Sequence, residues 1–210
     1  MGSMLRLDER DYLILRTVYR FRFCLGRHLK VFAYYKSLRT TDRRLKSLVD
    51  AGYLSRGKYV YGIPYLYTIT HKGRILLGVN KREDKIRIDR ITHDIYVLES
   101  IIYYMLKHNI SLSDIESEKE LHIKDGFGTR KHHPDFLVNY ADKIHAIEIE
   151  LNAKAKERLE NNIRDNYLNF DNQVWITNDN KVLSMLKKFK DEYSNIEIIL
   201  LEEVLDYVRE

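Results

Sequence analysis

The chain has 210 residues with a formal net charge of +5, and two prolines and nine glycines exclude a long disordered or collagen-like segment. One cysteine, Cys24, excludes an internal disulfide framework and a cysteine-rich zinc site. No apolar run approaches the ~20 residues that span a bilayer, and no signal-peptide core begins the chain, so we expect a cytoplasmic protein without membrane attachment.

The charge is divided unevenly along the chain. Residues 1–90 contain 21 lysines and arginines against 8 aspartates and glutamates, a balance of +13. Residues 91–210 contain 15 against 23, a balance of −8. The asymmetry predicts a basic domain suited to binding polyanions and an acidic domain with a different function. We place the basic domain at 4–80, a linker at 81–92 and the acidic domain at 93–210.

Three helices are predicted at the start of the chain. The first follows the capping residue Asp8, and a short second helix covers about 26–33. The third helix ends at Gly52, a residue suited to the left-handed conformation that closes helices. Its apolar Leu45 and Leu48 have the spacing of a buried helix face.

After Gly52 the apolar period changes from helical to alternating. Residues 53–55 and 65–69 predict the strands of a hairpin, and Thr70 then caps a short helix. Three helices followed by a hairpin is the order of a winged helix-turn-helix. The segment from Arg43 to Leu54 resembles the recognition helix of many bacterial winged-helix proteins.

Candidate DNA contacts lie on the third helix and the hairpin. Cations in the first turns of the helix would face the major groove, and those of the hairpin would meet phosphates. A winged helix that binds protein and leaves its cations solvated is the alternative, which the balance of +13 over residues 1–90 disfavours. The predicted DNA-binding residues are Arg39, Thr41, Arg43, Arg44, Lys46, Arg56, Lys58 and Tyr59.

The acidic half alternates helices and strands. A helix over about 92–108 precedes a strand-like pattern at 118–124 and two further strands that form a hairpin at 134–138 and 144–151. The remaining predicted elements are a helix at 153–169, a strand at 174–177, a helix at 181–193, a strand at 196–201 and a last short helix. This order predicts a mixed sheet flanked by helices, so the fold class is α/β (α+β).

Two carboxylates stand in an otherwise apolar strand of this half. Period-two geometry places Glu148 and Glu150 on one face, with Ile147 and Ile149 on the other. Neighbouring carboxylates repel each other and are costly to bury, so the pattern indicates a bound cation. Asp135, which begins the adjacent strand, would complete a hard-oxygen site for Mg²⁺ or Mn²⁺.

Other residues near these carboxylates are weaker candidates. Glu118 would share a strand face with Glu120 and add a metal ligand, although surface placement is the favoured interpretation for at least one of the two. Of His132 and His133, at most one would join the site, and a loop role is the favoured interpretation. A solvated strand face is the alternative for the carboxylates, in which they pair with nearby cations, namely Lys143, Lys154 or Arg158.

The spacing of Pro134-Asp135 and Glu148-x-Glu150 resembles the motif of the PD-(D/E)xK nuclease superfamily. The resemblance implies a restriction-endonuclease-like fold in which the carboxylates bind the metal that activates the attacking water. Glu150 occupies the family's lysine position, so Lys154 or Lys156 would supply the catalytic cation. Some variants of the superfamily move this lysine and others have lost catalysis, and both readings stay open.

The wider arrangement combines the winged helix with His93-Asp94, Glu116-Ser117-Glu118, Pro134-Asp135, Glu148-x-Glu150-Leu151-Asn152 and a helix bearing Lys154, Arg158 and Tyr167. It resembles the replication-relaxation family of plasmids and integrative elements, which includes MobC-type mobilisation relaxases. The resemblance implies a DNA-processing protein that acts at an origin of transfer or replication. Its implied partners are double-stranded DNA and other mobilisation or replication proteins, and a homodimer is compatible with it.

Two functions from different classes follow from these patterns. The first is a metal-dependent DNA nickase or endonuclease that the winged helix directs to its site. The second is a non-catalytic DNA-binding accessory or regulatory protein whose nuclease-like domain mediates dimerisation or partner docking. A plain transcriptional repressor is disfavoured, because it does not need the long acidic α/β segment.

Overall fold

A computed structural model shows a mixed α/β protein. It divides into two compact units, Met1–Ile95 and Tyr96–Glu210. Of the predicted linker, 81–84 lie outside the described residues and Ile88–Arg90 form a 3₁₀ turn. No helix in the described part of the chain is long and apolar enough to cross a membrane. The described residues are 5–79, 85–125, 132–153 and 155–209.

The first unit contains the predicted three helices, hairpin and following helix, with one additional short strand. Its three strands form an antiparallel sheet of order β1-β3-β2, in which Leu54 pairs with Ile69 and Cys24 with Tyr67. The elements are α1 Glu9–Phe21, β1 Cys24–Leu25, α2 Gly26–Phe32, α3 Leu38–Asp50, β2 Leu54–Gly57, β3 Leu66–Ile69 and α4 His71–Leu76.

Side-chain caps define the ends of these helices. The Asp11 amide donates to Asp8 Oδ1 at 3.1 Å and the Asp8 amide to Asp11 Oδ2 at 2.8 Å, a reciprocal capping box that begins α1. Thr70 caps α4 and donates its hydroxyl to the Gly52 carbonyl at 2.6 Å. Gly52 has the expected positive φ of 76° after α3.

An ion pair joins α1 to α3. The Asp11 side chain is fully buried, and Arg44 Nε donates to its Oδ1 at 2.6 Å while a second guanidinium nitrogen contacts its Oδ2. Arg44 also donates to the Arg6 carbonyl at 2.8 Å. The hydrogen bond to Asp11 raises the pKa of Arg44. The Arg44 guanidinium, which was predicted to contact DNA, thus neutralises a buried carboxylate, and its contact with DNA stays a prediction.

The second unit is built on a five-stranded sheet of order β4-β5-β6-β7-β8. The pairs β4·β5 and β5·β6 are antiparallel, whereas β6·β7 and β7·β8 are parallel. The helix α5 Ile91–His108 begins in the last residues of the first unit and continues into the second. The other elements of the second unit are β4 Ile115–Ser117, α6 Glu118–Asp125, β5 Phe136–Tyr140, β6 Lys143–Ile149, α7 Lys156–Asn169, β7 Asn172–Thr177, α8 Asn180–Phe189, β8 Ile196–Leu200 and α9 Leu201–Arg209.

The segment predicted as a strand at 118–124 is the helix α6, and the strand lies just before it. The Ser117 amide and hydroxyl both donate to Glu120 Oε2, at 2.8 and 2.7 Å. This is the Ser-x-x-Glu arrangement that begins helices. The prediction that Glu118 and Glu120 share a strand face is therefore wrong.

Helices cover both faces of the sheet. On one face, α7 and α8 pack against β7, with Leu159, Ile163 and Leu186 around the fully buried Trp175. On the other, Tyr104 of α5 meets Phe136 edge-on with ring centroids 6.1 Å apart. Glu148 pairs in parallel register with Trp175, so its side chain projects toward α7.

Removing the cation from the buried ion pair should destabilise the first unit. We expect Arg44→Met to lower its free energy of unfolding by about 2 kcal/mol, because the Asp11 carboxylate stays buried without its charge partner. The only tryptophan lies in the second unit, so amide hydrogen exchange of α1 and α3 is the appropriate measurement.

Arg43→Met is the matched control, since Arg43 is exposed on the same helix. It should change amide exchange by less than about 0.5 kcal/mol. Equal exchange rates in the two variants would show that the Arg44–Asp11 pair does not stabilise the unit.

Candidate functional site

The β5–β6 hairpin brings two of the predicted carboxylates together. Its turn at Ala141 and Asp142 has positive φ at both residues, 53° and 58°, as a tight hairpin turn requires. Phe136 pairs with Ile147, so the preceding Asp135 lies opposite Glu148 at the end of the hairpin. The predicted adjacency of Asp135 and Glu148 is thus present in the fold.

The carboxylate of Glu148 is enclosed by residues from three segments. Its side chain is 7% exposed, and its Oε1 accepts a hydrogen bond from Asn166 Nδ2 of α7 at 3.0 Å. His132 Nε2 lies 2.5 Å from the same oxygen. Burial raises the pKa of Glu148 and the nearby Asp135 charge adds to this, while the His132 and Asn166 contacts oppose it. Contacts with the surrounding protein, rather than with solvent, therefore determine how tightly Glu148 holds a proton.

Asp135 is fixed by backbone on both sides. Its Oδ2 accepts a hydrogen bond from the Ile149 amide of β6 at 2.8 Å. Its carbonyl accepts one from the Glu118 amide, the first residue of α6, at 3.1 Å. The carboxylate therefore sits where β6 and the start of α6 meet.

Glu150 lies just beyond β6 and is 5% exposed. Its amide donates to the Ile176 carbonyl at 2.9 Å, so the ladder with β7 continues and strand alternation keeps Glu150 on the Glu148 face. Within ranges 5–79, 85–125, 132–153 and 155–209, no group of three or more His, Cys, Asp or Glu side chains is arranged to hold a metal ion. The pair Asp135 and Glu148 forms the centre of the site.

The remaining predicted site residues are more dispersed. The Glu118 carboxylate lies 3.7 Å from His122 Nε2 within α6. Lys156 is exposed at the first position of α7. Lys154, the other proposed catalytic cation, lies outside the described residues.

Two further residues contact Glu148. The ring of His132, which lies in the loop before β5, agrees with the alternative that one of the two neighbouring histidines joins the site. Asn166 was not identified from the sequence pattern. Asn166 is fully buried, whereas its neighbour Tyr167 is 42% exposed. The available signal was the helical stripe of Leu159 and Ile163, which continues to residue 166 and places an amide among apolar positions.

The predicted DNA contacts on α3 separate into two sets. Arg39, Arg43 and Lys46 are exposed, and helical periodicity places them within roughly 60° of arc on one side of α3. Thr41 is fully buried and donates its hydroxyl to the Ser37 carbonyl at 3.0 Å, so its prediction as a DNA contact is wrong. The exposed stripe is the surface that α3 offers to a ligand.

The predicted hairpin contacts are exposed. Arg56 lies at the end of β2 with its guanidinium carbon 5.0 Å from the ring centre of Tyr65. Lys58 and Tyr59 follow the strand, and the Tyr59 ring packs over the backbone of Gly57. These side chains extend the basic surface of the first unit.

Comparison with protein-family models, with curated proteins and with solved structures finds no match to this chain. The resemblances to the PD-(D/E)xK and replication-relaxation families therefore depend on short sequence motifs alone. What those resemblances imply for function is a proposal.

The buried Glu148 carboxylate should make the second unit less stable as pH rises. A raised pKa means that the folded state holds the proton more tightly, so the stabilisation is complete below the ordinary value of 4.5 and is lost as pH rises through the folded pKa. Glu148→Gln removes this loss, because its amide oxygen still accepts hydrogen bonds but does not ionise. We expect the free energy of unfolding of the variant, relative to that of the wild type, to increase as pH rises above 4.5.

Urea unfolding followed by Trp175 fluorescence measures this difference, since Trp175 lies beside Glu148 in the sheet. Burial lowers the pKa of His108 and His145, which favours stability at high pH, so only the difference between variant and wild type is diagnostic. Glu157→Gln, at an exposed position of α7, is the control. A constant difference between Glu148→Gln and wild type across the range contradicts the prediction.

Proposed function

We propose that the protein is a metal-dependent DNA nickase or endonuclease of a plasmid or integrative element, acting at an origin of transfer or replication. The basic first unit binds double-stranded DNA, and the second unit hydrolyses the phosphodiester. The observation that carries the proposal is the buried Glu148 carboxylate opposite Asp135, in a chain whose first 90 residues have a balance of +13.

The first unit supports duplex binding through its element order and charge. Helices α1 to α3 followed by the β2–β3 hairpin match the expected order of a winged helix-turn-helix, with α3 as the recognition helix. The exposed stripe of Arg39, Arg43 and Lys46 would face the major groove, and Arg56 and Lys58 would meet the phosphates alongside.

The second unit supports a nuclease-like fold through its strand order. An antiparallel hairpin carries Asp135 and Glu148, the following helix α7 crosses to a parallel strand, and helices cover both faces. On the PD-(D/E)xK resemblance, these two carboxylates would be the metal ligands.

Asp135 and Glu148 would hold Mg²⁺ or Mn²⁺, because these ions prefer carboxylate oxygens. Glu150 and Glu118 stay as predicted further donors, although no group of three such side chains is arranged for a metal ion within the described residues. Such an ion supplies Lewis acidity and lowers the pKa of its bound water. His132 and Asn166 orient Glu148, and Lys156 or Lys154 would offset the charge that develops on phosphate.

Duplex binding should depend on the exposed face of α3. We expect Arg39→Ala and Arg43→Ala each to weaken binding of a mixed-sequence duplex and to reduce its salt dependence by about one counterion. Fluorescence anisotropy over a salt series measures both quantities.

Arg16→Ala removes the same charge from the exposed side of α1 and serves as the control. If all three variants weaken binding equally, net charge rather than the α3 surface determines affinity. That result would contradict the proposed interface.

Strand cleavage should require the opposed carboxylates. We expect the wild type to nick supercoiled origin-bearing plasmid with Mn²⁺, and Asp135→Asn and Glu148→Gln to lose at least about 100-fold in rate, because each removes a charged oxygen ligand. Conversion of supercoiled to open-circular plasmid on a gel measures the rate.

Asp142→Asn is the matched control. It changes an exposed aspartate of the same hairpin at a φ of 58°, a conformation that asparagine tolerates. Nicking that survives Asp135→Asn at the wild-type rate would exclude this site as the catalytic centre.

A non-catalytic DNA-binding accessory protein is the second candidate. The observation that favours it is the engagement of Glu148 Oε1 by both His132 and Asn166, together with a glutamate at position 150 where the nuclease family has lysine. In that case the protein binds duplex DNA, shows no heat of Mn²⁺ binding in calorimetry and cleaves nothing. Metal-dependent nicking that requires Asp135 eliminates this candidate.

A further inference from the structure

The tip of the β2–β3 hairpin has an unusual composition. No aspartate or glutamate occurs between Asp50 and Glu83, while five tyrosines lie between residues 53 and 67. Two of them, Tyr53 and Tyr67, belong to the ordered base of the hairpin. The hairpin tip, defined as residues 56–65, contains the other three together with Arg56 and Lys58.

A defined turn holds Tyr61 at the outermost position of the hairpin tip. The Ile63 amide donates to the Val60 carbonyl at 3.4 Å, and Gly62 has a φ of 80°. A positive φ at the third residue is the geometry of a type II turn, which glycine adopts without strain. Tyr61 precedes it and is 98% exposed.

Two further rings flank this position and are partly exposed. Tyr59 is 41% and Tyr65 is 49% exposed, although both are large enough to gain stability from full burial. A methyl group at Gly57 would lie 2.8 Å from a ring carbon of Tyr59, so glycine permits this ring to lie against the strand. The Arg56 guanidinium stands over Tyr65. The fold thus presents aromatic rings beside cations without using them in its core.

We propose that the hairpin tip binds unpaired nucleotides, with Tyr61 and its neighbours stacking on exposed bases. The inference rests on the proposed function and specifies its substrate as DNA that contains a melted segment. Bases in a duplex already stack on both sides, whereas unpaired bases gain stacking from an aromatic side chain and leave their phosphates to Arg56 and Lys58. The arginine beside Tyr65 adds a cation–π contribution.

The test compares two ligands of the full chain. One is a mixed-sequence duplex, and the other is the same duplex with a short central bubble of unpaired thymidines. We expect the wild type to bind the bubble more tightly, and Tyr61→Ala to lower bubble affinity by about tenfold while duplex affinity stays unchanged. Tyr61→Phe should restore the preference, because it keeps the ring and removes only the hydroxyl.

Tyr34→Ala is the matched control, since Tyr34 is 64% exposed in the same unit but lies between α2 and α3. Equal affinity of the wild type for both ligands overturns the inference, and so does a loss for Tyr61→Ala that is the same on both. Binding of anionic phosphatidylserine vesicles that Tyr61→Ala abolishes, without a bubble preference, would assign the hairpin tip to membranes. Duplex binding that depends on Arg39 tests the proposed function separately, so the two failures are distinguishable.

Discussion

The buried carboxylate of Glu148 is the constraint that organises the second unit. A carboxylate in this position is costly unless neighbouring groups compensate for its lost hydration. The compensation comes from His132 before β5 and Asn166 on α7, while Asp135 lies opposite on the hairpin. The hairpin, the helix α7 and the segment before β5 must therefore meet at one point. An acid that burial and a neighbouring charge hold in a raised-pKa state is typical of functional sites.

The first unit divides the cations of α3 between an internal ion pair and the exposed surface. Arg44 neutralises the buried Asp11, and Thr41 is fully buried, so both contribute to the interior of the unit. Arg39, Arg43 and Lys46 lie on the opposite side of the same helix and are exposed. The helix α3 thus stabilises the unit with one side and presents positive charge on the other. The net charge of the sequence does not show which cations lie on which side.

Local signals predicted most elements and their order. These signals are short-range, so each could be recognised from a short stretch of sequence. They are the alternation in β5, β6 and β7, the helix caps Asp8 and Thr70, and the left-handed Gly52. The error at 118–124 has the same origin. Alternating residues there resemble a strand, but the Ser117–Glu120 capping contact begins a helix, and a strand pattern and a cap compete for the same residues.

Three features were predictable from residue order alone: the charge division, the alternation that places Glu148 and Glu150 on one strand face, and the nearness of Asp135 through a short hairpin. Each depends on residues close in the chain or on a fixed strand period. The contacts of His132 and Asn166 with Glu148, and of Arg44 with Asp11, became visible only in the folded chain. These contacts join residues 16, 18 and 33 positions apart, and no local periodicity encodes which distant partner a side chain meets.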